Sequence, residues 1–179
     1  LKYLTEKNIK CKGLELTQYL VDICKEKNLD VSSTSLENEP NLKYDIITMF
    51  DVLEHLTSPI DFFKTVNKKI KTGGYILAYT PNINSFAFHF QKGEQNLLLP
   101  YEHVLFYNQH SLSYLAEETG FTVESIDYYG LDVVDYFSMK GFKDDINYNE
   151  NLSDIIPYMQ ALIDSEKISN HIRIVFKKI

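Results

Sequence analysis

The segment Tyr44-Asp-Ile-Ile-Thr-Met-Phe-Asp-Val-Leu-Glu-His-Leu-Thr-Ser-Pro59 decides how this chain is read. Asp45 to Phe50 is a nearly continuous apolar run with two isoleucines, the kind buried on both faces of a parallel sheet. Ser58-Pro59-Ile60-Asp61 then reads as a helix start: Ser as N-cap, Pro at the first position and an acid in the first turn. The helix carries Phe62, Phe63, Val66 and Ile70, and Lys68, Lys69 and Lys71 crowd its negative end before Gly73 and Gly74. Tyr75 to Thr80 is the next strand, stopped by Pro81-Asn82.

Working outward, the same alternation continues. Residues 1–8 are weakly helical, and Lys12 to Leu16 is a short strand with an acid near its end. Gln18 to Lys27 spaces Tyr19, Leu20, Ile23 and Cys24 as a helix does, with Asn28 as its stop. Leu29 to Thr34 is a second short strand, and 37–43 is loop. Beyond Asn82, residues 83–107 are irregular and aromatic. Asn108 opens a helix that stops at Gly120, and Phe121 to Tyr129 is strand-like. Residues 130–151 are mixed, with 143–151 a polar loop; Leu152 to Ile163 is helical and His171 to Phe176 a last strand. Strands alternating with helices predict an α/β, doubly wound, mostly parallel sheet. The final helix and strand predict an antiparallel edge strand. With no linker in view, residues 1–179 read as a single domain.

Composition narrows the classes of function. The hydrophobic share is 44% and the charged share 24%, ordinary for a globular protein. A net charge of −7, with scattered lysines, disfavours a nucleic-acid backbone. Cys11 and Cys24 are too few for a disulfide framework, so a reducing, cytoplasmic setting is expected. No apolar run reaches the roughly 18–20 residues of a membrane span.

In doubly wound sheets ligands bind at the carboxyl ends of the strands. Glu15 stands at one such end, where its two oxygens suit the vicinal hydroxyls of a ribose; a solvated loop acid is the equal alternative. Leu16 beside it could cover an adenine face. Ser35 and Leu36 follow the next strand, either against an adenine or as a turn with a core leucine. Phe50 and Val52 can wall a cofactor. Asp51, Glu54 and His55 fall at i, i+3 and i+4, suiting proton transfer, a divalent cation, or a hydrogen-bonded helix start.

In order and spacing the chain resembles the class I, Rossmann-like S-adenosylmethionine-dependent methyltransferases. The likeness is to the branch holding ubiquinone-biosynthesis O-methyltransferases and many bacterial sugar and small-molecule methyltransferases. It rests on Gly13-Leu-Glu15, Asp45-Ile-Ile, Asp51-Val-Leu-Glu-His55, Thr72-Gly-Gly-Tyr-Ile-Leu, Thr80-Pro-Asn82, Pro100-Tyr-Glu-His103 and Glu118-Thr-Gly-Phe121. The resemblance implies S-adenosylmethionine as cofactor, with Glu15 on the ribose and Leu16, Ser35 and Leu36 around the adenine. It puts Phe50, Asp51, Val52 and His55 along the methionine moiety. Asn82, His89, His103 and Tyr107 would line an acceptor pocket within an insertion spanning 83–151. His103 is the first choice of general base and His55 the second. Asp51, Glu54 and His55 match positions that hold a divalent cation in some ubiquinone-pathway relatives. The implied acceptor is a small molecule offering an oxygen or nitrogen, of phenolic, quinone-like or sugar-like type.

The family's Gly-x-Gly-x-Gly loop is absent, and the likeness begins just downstream of it. The expectation is an N-terminal truncation, with the first strand and its loop before Leu1. The 179-residue chain alone should then fold or bind cofactor poorly, since its neighbours lose a strand partner. One alternative is a non-catalytic, methyltransferase-like binding module. Another is a nicotinamide dehydrogenase, which would not require Asp51-Val-Leu-Glu-His55 or Thr80-Pro-Asn82.

Overall fold

The structure is a computed structural model and describes residues 1–179. The chain divides into two compact units, Leu1–Lys43 and Tyr44–Ile179. The first holds helix α1 (Lys2–Glu6), strand β1 (Gly13–Leu14), helix α2 (Gln18–Glu26) and strand β2 (Val31–Ser32). Strands β1 and β2 pair in parallel, Gly13 opposite Val31. The fit is close, since a Cβ on Gly13 would lie 3.1 Å from a Val31 methyl. Val21 anchors α2, fully buried.

The second unit contains β3 (Tyr44–Phe50), α3 (Pro59–Lys69), β4 (Ile70–Pro81), α4 (Phe86–Gln91), α5 (Gln109–Thr119), β5 (Phe121–Tyr128), α6 (Asp132–Asp144), α7 (Tyr148–Asn151), α8 (Ile156–Ser165) and β6 (His171–Lys178). Its sheet runs β3-β4-β6-β5. β3 is parallel to β4, and β6 runs antiparallel to both β4 and β5. The expected α/β fold with a mostly parallel sheet is therefore present. The antiparallel strand sits one place further in than the edge: β6 bonds on both sides, and β5 takes the edge.

Alternation along β4 and β6 explains the core. Ile76, Ala78, Ile172, Ile174 and Phe176 are buried on one sheet face. Phe63 of α3 meets Phe176 and Phe121 edge-on, with ring centroids 5.4 and 6.0 Å apart. Leu112, Leu115 and Ala116 of α5 complete the layer. Helix α5 is well specified: Asn108 and Ser111 form a reciprocal capping box, and Gly120 ends it at φ 79°.

Three local expectations change. β3 is not buried on both faces: Ile46 and Phe50, on one face with the exposed Thr48, are 55% and 59% exposed. β4 starts at Ile70 rather than Tyr75, since Gly73 and Gly74 form a bulge inside the strand, where the register jumps from Tyr44/Ile70 to Ile46/Tyr75. A Cβ on Gly74 would lie 2.8 Å from the Asp45 carbonyl oxygen, so glycine is required there. Residues 132–144, read as part of a mixed stretch, are one helix, and the polar 143–151 segment contains the short α7.

Candidate functional site

The parallel pairing of β3 with β4 brings their carboxyl ends together, Phe50 opposite Tyr79. Because β6 is antiparallel, its first residue reaches the same edge, His171 opposite Pro81. This edge is where a doubly wound sheet binds its ligands. The turn after β3 begins at Asp51, which adopts φ 53° and donates its backbone N–H to the Tyr79 carbonyl at 3.0 Å. Aspartate tolerates this left-handed conformation better than most residues.

A short 3-10 turn, Leu53–His55, follows. Leu53 drops fully into the core and carries Glu54 with it, so this carboxylate is 1% exposed. Its Oε2 accepts the Thr80 hydroxyl at 3.0 Å, whereas Oε1 is buried with no partner. Burial drives the Glu54 carboxyl above its ordinary range, the Thr80 hydrogen bond opposes this, and Asp51 adds to the rise.

The same turn captures the aromatic segment from 83–107. The backbone N–H groups of Val104 and Leu105 donate to the Glu54 carbonyl at 2.9 and 3.1 Å. His55 Nδ1 lies 2.7 Å from the Glu102 carbonyl, and His103 Nδ1 lies 2.8 Å from that of Leu97. A carbonyl can only accept, so Nδ1 is the donor in each of these contacts. The two rings meet edge-on, centroids 4.9 Å apart. Glu54, His55 and His103 each offer a ligand atom within 4.8 Å of the others, a set that could hold a metal ion. Asp51 is not in that group; its charge acts on Tyr79 and His171 as well as on Glu54.

His171 and Tyr79 belong to this edge and were not singled out from the sequence. Their rings stack with centroids 4.4 Å apart and 1° between planes. Burial pushes the His171 imidazole down to about 4, against the pull of Asp51, and raises the Tyr79 phenol to about 12. Their signal was topological, because only an antiparallel β6 returns residue 171 to the end of β4.

Other anticipated pocket residues are spent on structure. Tyr107 is 5% exposed and donates its hydroxyl to the Leu53 carbonyl at 3.1 Å. Asn82 is buried, donates to the Ser169 carbonyl and accepts the Asn84 N–H. His89 turns back on its own helix, with Nδ1 2.9 Å from the Ser85 carbonyl.

In the first unit, β1 and β2 end side by side. Glu15 follows β1, and its Oε1 accepts the Thr17 N–H at 2.8 Å at the start of α2. Leu16 is 87% exposed. The Ser35 hydroxyl accepts from Asn38 at 3.3 Å, and Leu36 opens a 3-10 turn, half-buried.

A family model described as a methyltransferase domain matches residues 1–126. No curated protein matches the chain. Among solved structures, it is similar to a SAM-dependent methyltransferase from Archaeoglobus fulgidus at 18% identity and TM-score 0.66, covering 99% of this chain and 80% of that one. An S-adenosylmethionine-dependent methyltransferase from Mesorhizobium loti is similar at 11% identity and TM-score 0.61, over 93% of this chain and 79% of that one. The [4+2]-cyclase SpnF is similar at 14% identity and TM-score 0.58, over 93% and 65%. Likeness at these identities shows the fold alone, and SpnF marks how one fold carries more than one chemistry.

Proposed function

Since the chain belongs to the methyltransferase-domain family, we propose that it transfers a methyl group from S-adenosylmethionine to an oxygen, or a nitrogen, of a small phenolic, quinone-like or sugar-like acceptor. The observation that carries the reading is the convergence of Asp51, His55 and His103 on the carboxyl edge of β3 and β4. When bound, S-adenosylmethionine supplies a sulfonium methyl that an acceptor lone pair takes as the C–S electrons return to sulfur, leaving S-adenosylhomocysteine.

The residues of this edge fit such a cofactor. Phe50 is exposed and Asp51 follows it in the chain; an aromatic ring and a carboxylate suit the apolar and ammonium parts of a methionine moiety. Val52 and His55 are assigned to the same moiety. In the first unit, Glu15 is assigned to the ribose and Leu16, Ser35 and Leu36 to the adenine, with 1–179 taken as one methyltransferase domain. His103, and after it His55, receives the acceptor's proton: each has Nδ1 held by a carbonyl, so Nε2 is the basic atom. Holding the acceptor in line supplies most of the acceleration. The aromatic rings Phe86, Phe88, Phe90, Phe106 and Tyr136 favour a planar acceptor.

The test is release of S-adenosylhomocysteine by the full natural chain against a panel of phenols, quinols and sugars. One methylated product per S-adenosylhomocysteine is expected, and His103→Ala should lower kcat by about 10²–10⁴. No release with any acceptor, together with no binding of the cofactor, sinks the proposal and favours a non-catalytic binding module.

A further inference from the structure

We propose that the outer face of α8 joins two copies of this chain as a symmetric dimer, with the two helices packed antiparallel across a two-fold axis. The inference is independent of the methyl-transfer reading.

The orientation of α8 is fixed by its inner side. Ile156 is 7% exposed. Gln160 Nε2 donates to the Asp132 carboxylate at 3.2 Å, and Gln160 Oε1 accepts the Val133 N–H at 3.1 Å. With these contacts made, the helix cannot roll to bury its opposite side. That side carries the N-cap Ile155 with Tyr158, Met159 and Leu162, at i, i+3, i+4 and i+7. They are 54%, 79%, 41% and 63% exposed. The one charged residue of α8, Asp164, does not relieve them, because its carboxylate accepts the Gln160 amide and the Ser169 hydroxyl. The other exposed positions of the helix are Pro157, Ala161 and Ser165. A helix face in contact with water ordinarily carries charged and polar side chains, so this one is built to be covered.

The features of the stripe select a second copy as its cover. A two-fold interface needs a face that is complementary to itself. Residues 155 and 162 are spaced symmetrically about the same midpoint as 158 and 159. Antiparallel pairing therefore sets Ile155 of one copy against Leu162 of the other, and Tyr158 against Met159. It also lays each helix N-terminus beside the other copy's C-terminus, where the dipoles attract. Asp154, Glu166 and Lys167 are exposed and lie just beyond the two ends of the stripe in sequence, which gives an apolar centre and a charged rim. The four side chains leave on the order of 500 Å2 in water per copy, so pairing removes about 1,000 Å2 in total, the lower bound of a specific interface. A lipid surface fits less well. Helices that lie on membranes carry Lys and Arg beside the apolar face, whereas α8 has neither and the chain carries a net charge of −7.

The experiment is sedimentation velocity of the full natural chain over a range of concentrations, without cofactor or acceptor. A reversible monomer–dimer equilibrium is expected, with Kd of about 1–100 μM for so small an interface. Tyr158→Glu and Leu162→Glu should each weaken it at least tenfold, whereas Tyr114→Ser, at an exposed position of α5, leaves it unchanged. Mixing Tyr158→Glu with Met159→Lys chains should restore dimers, because the pairing sets residue 158 of one copy against 159 of the other. Thermal melting checks folding, and Tyr158→Ser and Leu162→Ser replace any glutamate variant that fails to fold. A chain that stays monomeric at all concentrations, or a dimer untouched by both stripe substitutions, overturns the proposal. So does a monomer that pellets with phosphatidylcholine vesicles and loses this in the same variants, which assigns the face to lipid.

Discussion

Replacing His171 by phenylalanine should remove most of an acid sensitivity built into the second unit. The imidazole lies flat on Tyr79, and burial holds its pKa at about 4 against an ordinary 6.5. Between these values the unfolded chain binds a proton that the folded chain does not. Stability therefore rises with pH through this window. The contribution is fully present above about 6.5 and drains away as pH falls towards 4. A difference of about 2.5 pK units is worth about 3 kcal/mol, and about 2 kcal/mol after allowing for partial access of water to the ring. Phenylalanine keeps the stack on Tyr79 but cannot titrate. It leaves Asn170 Oδ1 without His171, though that oxygen still accepts the Leu131 N–H at 3.3 Å. The cost at pH 7.5 should thus be modest, about 1 kcal/mol. Urea unfolding of the two proteins from pH 7.5 to 4 is the assay. The wild type should lose about 2–3 kcal/mol more than His171→Phe across the range. Parallel curves would mean that His171 is not held neutral by burial, and the reasoning would fail.

Further expectations follow from the core and backbone. Phe63→Ala deletes the ring that meets both Phe121 and Phe176, and should cost about 3–5 kcal/mol in urea unfolding. Gly74→Ala forces a Cβ against the Asp45 and Lys71 carbonyl oxygens, at 2.8 and 2.9 Å; a loss of about 1–3 kcal/mol is expected, and an unchanged melting temperature would contradict the close approach. Asn108→Ala removes the α5 cap and should cost about 1 kcal/mol.

Much of the fold was legible because local signals agreed. Pro59 does open α3, and Asn108 and Gly120 bound α5. The apolar 45–50 run is a strand. What escaped was non-local. Gly73-Gly74 reads as a turn in sequence, and only pairing with β3 makes it a bulge. Helix α6 carries Gly141 and three aspartates among few regularly spaced apolar residues, so its periodicity is faint. The same division holds for the site. Asp51, Glu54 and His55 are one turn of chain and were visible together. The meeting of His55 with His103 depends on backbone bonds from Val104 and Leu105 to that turn, and on the His55 side chain's bond to the Glu102 carbonyl. His171 depends on the direction of β6.

The measurement closest to the central claim is calorimetry of S-adenosylhomocysteine binding to the full natural chain, with Glu15→Ala and Asp51→Ala alongside. One molecule should bind per chain with micromolar Kd, and each variant should weaken it at least tenfold, about 1.4 kcal/mol. No heat with S-adenosylhomocysteine, or binding of NADH in its place, would contradict the account.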